Sequence, residues 1–473
     1  MKVLFVSVEV APWAKVGGLA DVAGSLPQAL RGLGHEVRVL MPAYGMVIKG
    51  KVPTKTLSVR VNLEEEYKAN LFEVDGIWMV NCPEFFGNAS RSEEIYAYGR
   101  DAYLFLSQAA IALCEASDWI PDIVHANDWH TGFVPVMIRE KGGKKWDRTA
   151  TIFTIHNLLY QGTFGKDTIE AAGLDPGLFT MDKLETWGGV NFIKSACVYA
   201  DMVSTVSPTY ANEIQTEEYG ASLWGLMRDL HQLGKLRGIL NGIDTEFFNP
   251  QNDPAIAAPF SAADLGGKAK CKIALQGELG LPLSQGPLLG IVSRLSDQKG
   301  FDLIIKQAYG MLGLGSQFVA LGTGDPWAAD QLRQLERDWQ DQVRFIERYD
   351  APLAQRIYAG SDMFLMPSAF EPCGLGQMIA CRYGTVPIVR KTGGLADSIH
   401  DGDNGLVFER KSARELFETI RRGVNLYGDQ ASWLELVRRC MTTDFSWTKS
   451  AQDVIAMYDD ALQARIGAMA VSR

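Results

Sequence analysis

Several loops in this chain combine cations, carboxylates, imidazoles and paired glycines in ways that suit an anionic, hydroxyl-rich ligand. The heptapeptide Lys-x-Gly-Gly-Leu-Ala-Asp occurs twice, at Lys15–Asp21 and at Lys391–Asp397, differing only at Val16 and Thr392. Paired glycines let backbone N–H groups come close to a ligand because no Cβ is in the way. The residues after each pair read as a helix. Gly17-Gly18 and Gly393-Gly394 therefore open onto N-termini, where free N–H groups and the dipole favour an anion. One such turn is ordinary before a helix. Two copies, one in each half, point to two domains holding one phosphate-bearing ligand. Lys15 beside the first pair suits direct charge pairing with a phosphate.

Three further segments come after predicted strands. Arg294 and Lys299, in Arg294–Gly300, lie at the C-terminal end of a strand, where open α/β sheets bind ligands. Two cations there suit a leaving diphosphate. Pro367–Gln377 carries Glu371, Cys373, Gly374 and Leu375. Ionised Glu371 only accepts hydrogen bonds, which suits sugar hydroxyls or a developing positive charge. A packed sulfur is a better account of Cys373 than covalent catalysis, because no catalytic His is near it in sequence. His125–His130 and Thr154–Gly162 bring Asp128, Trp129, His130, His156, Asn157, Tyr160 and Gln161 to strand ends. Hydrogen-bonding groups beside flat apolar faces are what a sugar site needs. The spacing does not suit zinc.

The elements that must hold these groups are short apolar runs alternating with helical patterns, as in parallel α/β architecture. Strands are expected at Lys2–Val8, Glu36–Met41, Asp122–Ala126, Thr149–Thr154 and Met202–Val206. A second set is expected at Pro287–Val292, Gln317–Leu321, Val343–Ile346, Met363–Met366 and Val386–Val389. Their nearly continuous Val, Ile, Leu and Phe suits strands covered on both faces. Asn241–Gly286 reads as the connection between domains, with a helix around Lys268–Gln276. From Ala451, helical spacing of apolar residues predicts a last helix.

Composition removes whole classes. The 473 residues allow two or three domains, and a net charge of −10 without a long basic run argues against nucleic acid or an anionic membrane as partner. Seven scattered cysteines without a C-x-x-C pair fit a reducing compartment. No apolar run is long enough to cross a bilayer. The first loop lacks the G-x-G-x-x-G turn of a nicotinamide site.

Taken together, Lys15–Asp21, His125–His130, Thr154–Gly162, Thr205–Ile214, Ile239–Asp244, Arg294–Gly300, Gly322–Pro326, Pro367–Gln377 and Lys391–Asp397 resemble the bacterial glycogen synthases and plant starch synthases. The resemblance covers essentially the whole chain. The Lys-Val-Gly-Gly form of the first motif looks more like the plant starch synthase III/IV and cyanobacterial branch. The resemblance implies an α/β GT-B fold, two Rossmann-like domains with parallel sheets facing across a deep cleft. The acceptor (glucan) domain would span 1–245 with a C-terminal helix 452–473, and the nucleotide-sugar donor domain 246–451. The implied reaction is transfer of glucose, with retention, from ADP-glucose to the non-reducing-end 4-OH of an α-1,4-glucan such as a maltooligosaccharide, glycogen or starch. No cofactor or metal is expected. The expected location is the cytoplasm, or a plastid stroma if a transit peptide has been removed.

By the same resemblance, Lys15, Arg294 and Lys299 bind the diphosphate and stabilise the leaving ADP. Gly18 and Thr392-Gly393-Gly394 add N–H groups, and Tyr349 stacks on adenine. Glu371 holds glucosyl hydroxyls, with Cys373, Gly374 and Leu375 against the same sugar. His156 and Asn241 position the donor glucose. Asp21 and Asp128 fall on acidic positions typical of the family. Glu9, Asp128, Trp129, His130, Asn157, Tyr160 and Gln161 form the acceptor side. The chain departs from the family pattern at Ala369, commonly Arg, and at Gly376, commonly Asn or Thr. Related GT-B families often carry a second Glu where this chain has Ile379, so a paired-carboxylate mechanism is not assumed. The residues themselves leave open a glucan-binding or priming protein with weak activity, or a UDP-glucose donor.

Overall fold

The computed structural model describes residues 1–471, which form two compact units. Residues 1–242 and the helix Trp447–Val471 belong to the first, and Ile243–Ser446 is the second. The chain crosses between units at 242/243 and 446/447, somewhat before the expected 245/246 and 451/452. The two crossings lie side by side, because Ile243 N–H donates to the Phe445 carbonyl at 2.8 Å. The last helix accordingly starts at Trp447, and residues 472 and 473 of the expected helix lie outside the described residues.

The first unit holds a nine-stranded sheet in the order Leu236–Gly238, Met202–Thr205, Ala150–Ile155, Ile123–Asn127, Lys2–Val6, Glu36–Pro42, Ile77–Asn81, Glu66–Val74, Lys55–Arg60. Pairing is parallel through Ile77–Asn81 and antiparallel beyond it. Val3, Leu4, Phe5 and Val6 are fully buried, as a strand covered on both faces requires. All five expected strands of this unit are present to within two residues at each end. Lys55–Arg60, at the sheet edge, and Glu66–Val74 beside it escape sequence reading because charged residues on their exposed face interrupt the apolar run.

The second unit is a six-stranded, wholly parallel sheet: Val343–Ile346, Gln317–Leu321, Leu288–Val292, Met363–Met366, Val386–Arg390, Leu406–Phe408. Numbered within the unit, that is the doubly wound order 3-2-1-4-5-6. The winding reverses between Leu288–Val292 and Met363–Met366. The expected helix near Lys268 runs over Gly266–Glu278.

Candidate active site

A reversal of winding leaves a crevice at the carboxyl ends of the two strands that flank it. In the second unit those ends lead directly into the Arg294–Gly300 and Pro367–Gln377 loops. Lys299 Nζ donates to Glu371 Oε1 at 2.9 Å and to Oε2 at 2.7 Å, and Ser368 Oγ donates to Oε2 at 2.9 Å. Glu371 is only 5% exposed. A buried carboxylate needs such partners. The two loops are also tied through their backbones. Ala369 N–H donates to the Gln298 carbonyl at 2.7 Å, and Gln298 Nε2 donates to the Phe370 carbonyl at 3.2 Å. Arg390, at the end of its strand, donates from Nε to the Ser368 carbonyl at 2.7 Å and from a second nitrogen to the Ala369 carbonyl. Arg390 and Ser368 have no role in the sequence reading. The rule that strand ends carry function would have reached Arg390. Arg294 is exposed and forms no ion pair among the described residues, leaving its fork available to an anion.

The second Gly-Gly pair differs from expectation. Gly393 has φ +44°, and a Cβ on it would lie 1.9 Å from the Glu371 carbonyl oxygen. A Cβ on Gly394 would lie 2.2 Å from that of Cys373. Gly394 N–H donates to the carbonyls of Glu371 and Pro372, at 3.0 and 3.2 Å. That N–H group is therefore engaged by the protein, and the glycines bring two backbones together. Thr392 precedes a helix of only six residues, Gly393–Ser398, and is buried. Cys373 is buried, as a packed sulfur would be. Gly374 (φ +72°) is left-handed and lies with Leu375 at the start of the helix Gly376–Arg382. Gln377 Nε2 fixes that turn by donating to the Cys373 and Gly374 carbonyls. The Gly376 departure has a physical counterpart. A Cβ there would meet Phe364, the Tyr358 hydroxyl and Met366 at 3.2–3.4 Å, so those side chains fill the space a larger residue would use. Ile379 is buried in the same helix. Tyr349 is 77% exposed beyond the strand Val343–Ile346, and its neighbour Asp350 caps the helix Ala351–Gly360 while holding Arg348 at 2.8 Å.

In the first unit the winding reverses between Lys2–Val6 and Ile123–Asn127. The loop after Lys2–Val6 carries Glu9, whose Oε2 accepts from Val16 N–H at 2.6 Å and Gly17 N–H at 2.8 Å. Burial raises its pKa above the ordinary carboxylate value, and the two N–H groups work against that. Glu9 thus shapes the first Lys-x-Gly-Gly loop from within. Lys15 Nζ sits 2.6 Å from Asp21 Oδ1, both partly exposed. Gly18 is exposed at the first position of the helix Gly18–Gly32.

After the strand Ile123–Asn127, Asp128 adopts φ +57°, uncommon for a residue with a side chain. Its Oδ1 accepts from His156 N–H at 2.7 Å and Asn157 N–H at 3.4 Å. Desolvation pushes its carboxyl up to about 7, and those N–H groups oppose it. A carboxyl near neutrality can exchange a proton at working pH. His156 Nε2 lies 3.0 Å from Asn127 Oδ1, and Asn127 Nδ2 in turn donates to the Val6 and His125 carbonyls. Burial lowers the His156 pKa to about 3, which keeps the ring neutral. Asn127, to which sequence reading assigns no role, thereby sets the orientation of His156. Asn241 lines a small cavity in which His156, Asn127, Thr154 and Ser204 share the wall with apolar Val22, Leu26 and Trp447.

The expected sugar-facing residues divide. Tyr160 is 55% exposed and lines an open groove together with exposed Thr163 and half-buried Trp129. A Cβ on left-handed Gly162 (φ +62°) would sit 2.2 Å from the Trp129 ring, so only glycine allows that contact. Gln161 also lines the groove, yet its Nε2 donates to the Ala221 and Leu158 carbonyls and its Oε1 accepts from Asn191. Its amide braces the loop. Asn157 Oδ1 accepts from Leu159 N–H at 3.1 Å and shapes the same turn. His130 is corrected to a packing residue. It stacks on Trp129 (4.0 Å between centroids) and Tyr96 (4.9 Å), and both ring nitrogens are buried without a hydrogen-bond partner.

Residues 2–229 match the family model described as starch synthase catalytic domain, and residues 286–425 match that of glycosyl transferases group 1. The chain is 42% identical to the glycogen synthase of Syntrophotalea carbinolica, over 98% of this chain and 99% of that protein. It is 42% identical to the glycogen synthase of Moorella thermoacetica, over 99% and 98%. Among solved structures, the catalytic domain of starch synthase IV from Arabidopsis thaliana, bound to ADP and acarbose, superposes with a TM-score of 0.89 at 37% identity, covering 98% of this chain and 99% of that one. A sucrose-phosphate synthase from Thermosynechococcus elongatus shares the fold, with a TM-score of 0.61 at 18% identity over 98% and 99% of the two chains.

Proposed function

The chain belongs to the glycogen and starch synthase family of GT-B glucosyltransferases, and from that premise we propose that the residues at the second unit's switch point bind the diphosphate and glucosyl group of ADP-glucose. The observation that carries this is the pairing of partly exposed Lys299 with buried Glu371, with Arg294, outside any ion pair among the described residues, on the same loop. Arg294 and Lys299 are then the charge partners of the departing diphosphate, and Glu371 accepts from sugar hydroxyls. Held by Lys299 and Ser368, Glu371 is a fixed acceptor rather than a mobile nucleophile. That supports front-face transfer with retention. The bond from C1 to the β-phosphate oxygen breaks and its electron pair leaves on ADP. The acceptor 4-OH attacks the oxocarbenium-like glucosyl group from the same face and gives its proton to the departing phosphate. Stabilising that leaving charge is the largest contribution asked of the protein.

The acceptor is an α-1,4-glucan, approached through the first unit's strand ends. The reaction as written draws on these side chains and on no cofactor or metal. Among the described residues no helix is long and apolar enough to cross a membrane. All seven cysteines are buried thiols outside any disulfide, which supports a reducing compartment, and we assign the enzyme to the cytoplasm. The test is incubation with labelled ADP-glucose or UDP-glucose and maltoheptaose. Elongation with release of ADP, and a clear preference for the adenine donor, is the expected result. Lack of incorporation from either donor overturns the reading.

A further inference from the structure

The first unit carries a small antiparallel sheet that sequence reading does not anticipate: Thr163–Phe164, Gly189–Asn191 and Glu185–Thr186. Its tip is the two-residue turn Trp187-Gly188, with φ +51° and +80°. Such a turn normally takes Asn-Gly, since both residues are left-handed. A bulky aromatic there is a genuine outlier. Trp187 is nevertheless 86% exposed, so packing does not explain it. The mount is rigid. Glu185 Oε1 accepts from Gly188 N–H at 2.7 Å. The Lys194 ammonium, on a residue that is 8% exposed, donates to the carbonyls of Met181, Lys183 and Glu185 at 2.7, 2.6 and 3.0 Å. An indole is thus displayed to solvent on a strained turn that the surrounding structure holds in place. Strain of this kind persists where function uses it.

The same sheet runs into the groove of Trp129, Leu159, Tyr160 and Thr163. Thr163 faces Asn191, while Phe192 N–H donates to the Gly162 carbonyl and Ile193 N–H to the Gln161 carbonyl. The turn lies three residues from Asn191, roughly 10 Å along the strand. Trp187 is therefore an exposed aromatic at the tip of this small sheet, and exposed Tyr160 lies in the loop that leads into its strand Thr163–Phe164. Their faces suit the C–H faces of pyranose rings, and the carbonyls and hydroxyls between them suit ring hydroxyls. A single sugar is too short to reach both, and a linear glucan is long enough. We propose that the Trp187 hairpin is a second glucan-contact site, a stacking platform for the chain outward from the strand-end groove. The proposal rests on the glucan-synthase reading above.

Trp187→Gly tests it, because glycine accepts φ +51° and keeps the turn. Trp187→Tyr restores a ring. In native gels containing glycogen, the Gly variant should bind about fivefold to tenfold more weakly than the wild type, with most of the loss recovered in the Tyr variant. Its KM should rise more for glycogen than for maltotriose. Equal retardation of the Gly variant and wild type, or an equal rise in both KM values, overturns the platform. Retardation needs no transfer. A wild-type chain held by glycogen but inert with nucleotide sugars defeats the reading of function alone. An active wild type whose Gly variant is still fully retarded defeats the platform alone.

Discussion

In the first copy of Lys-x-Gly-Gly-Leu-Ala-Asp, a Cβ on Gly17 would meet nothing within 4 Å, and Lys15 pairs with Asp21 of its own motif. In the second, a Cβ on Gly394 would collide with the Cys373 carbonyl, and Lys391 pairs at the surface with Glu409, outside the motif. The first loop is open around its glycines, with Glu9 holding the Val16 and Gly17 N–H groups and Gly18 exposed beyond them. The second is closed, and its glycines let one backbone lie against another so that Glu371 is held in place. The same letters thus form an open, exposed loop in one unit and an internal buttress in the other. Local sequence sets what a backbone can do, and the neighbouring chain decides which use is made of it.

The largest effect that would break this contrast is at the buttressed site. Lys299→Ala and Arg294→Ala should each raise the transfer barrier by about 2–4 kcal/mol, read as kcat/KM with ADP-glucose. Near-normal rates in both would remove the leaving-group role. Next come the glycines. Gly394→Ala should lower stability by about 1–3 kcal/mol through overpacking, whereas Gly17→Ala, at φ −141°, should leave the melting temperature nearly unchanged. Equal losses would erase the distinction between open and closed loops. The lysines are third. Lys15→Ala should lower kcat about tenfold, roughly 1.4 kcal/mol, and Lys391→Ala should stay within about twofold, since an exposed pair contributes little.

The smallest effect concerns the aromatic stack of the first unit. Burial depresses the His130 pKa from 6.5 to about 3. The unfolded state therefore binds the extra proton first, and stability falls as pH drops from about 6.5 towards 3. His130→Phe keeps the stack and removes that proton site. It should move the acid-unfolding midpoint to lower pH without loss at pH 7. An unchanged midpoint would show that His130 is not among the groups that set acid stability.

The parallel sheets were legible because their strands are apolar runs buried on both faces, such as Lys2–Val6 and Gln317–Leu321. The charged antiparallel strands Lys55–Arg60 and Glu66–Val74 and the Trp187 hairpin were not, since their pairing depends on partners that local pattern does not name. Lys299 and Glu371 could each be singled out as chemistry-bearing residues at strand ends. Their pairing at 2.7 Å across 72 residues of chain could not. Asn127 and Arg390 were missed because their work is to orient other groups, His156 in one case and the Ser368–Ala369 turn in the other.

The α/β class and the inventory of cations, carboxylates and glycine pairs are written in the chain, because they depend on residue type, periodicity and spacing, and the ordered motifs carry the resemblance to the family. Tertiary structure decided which of them meet. The order 3-2-1-4-5-6 brings two distant loops together at one reversal of winding, and only there do Lys299, Ser368 and Glu371 become one charged cluster. It also decided that one Gly-Gly pair faces outward and the other inward, and that His130 is walled in by rings. Burial and non-local contact are properties of the packed chain, and a run of seven residues does not contain them.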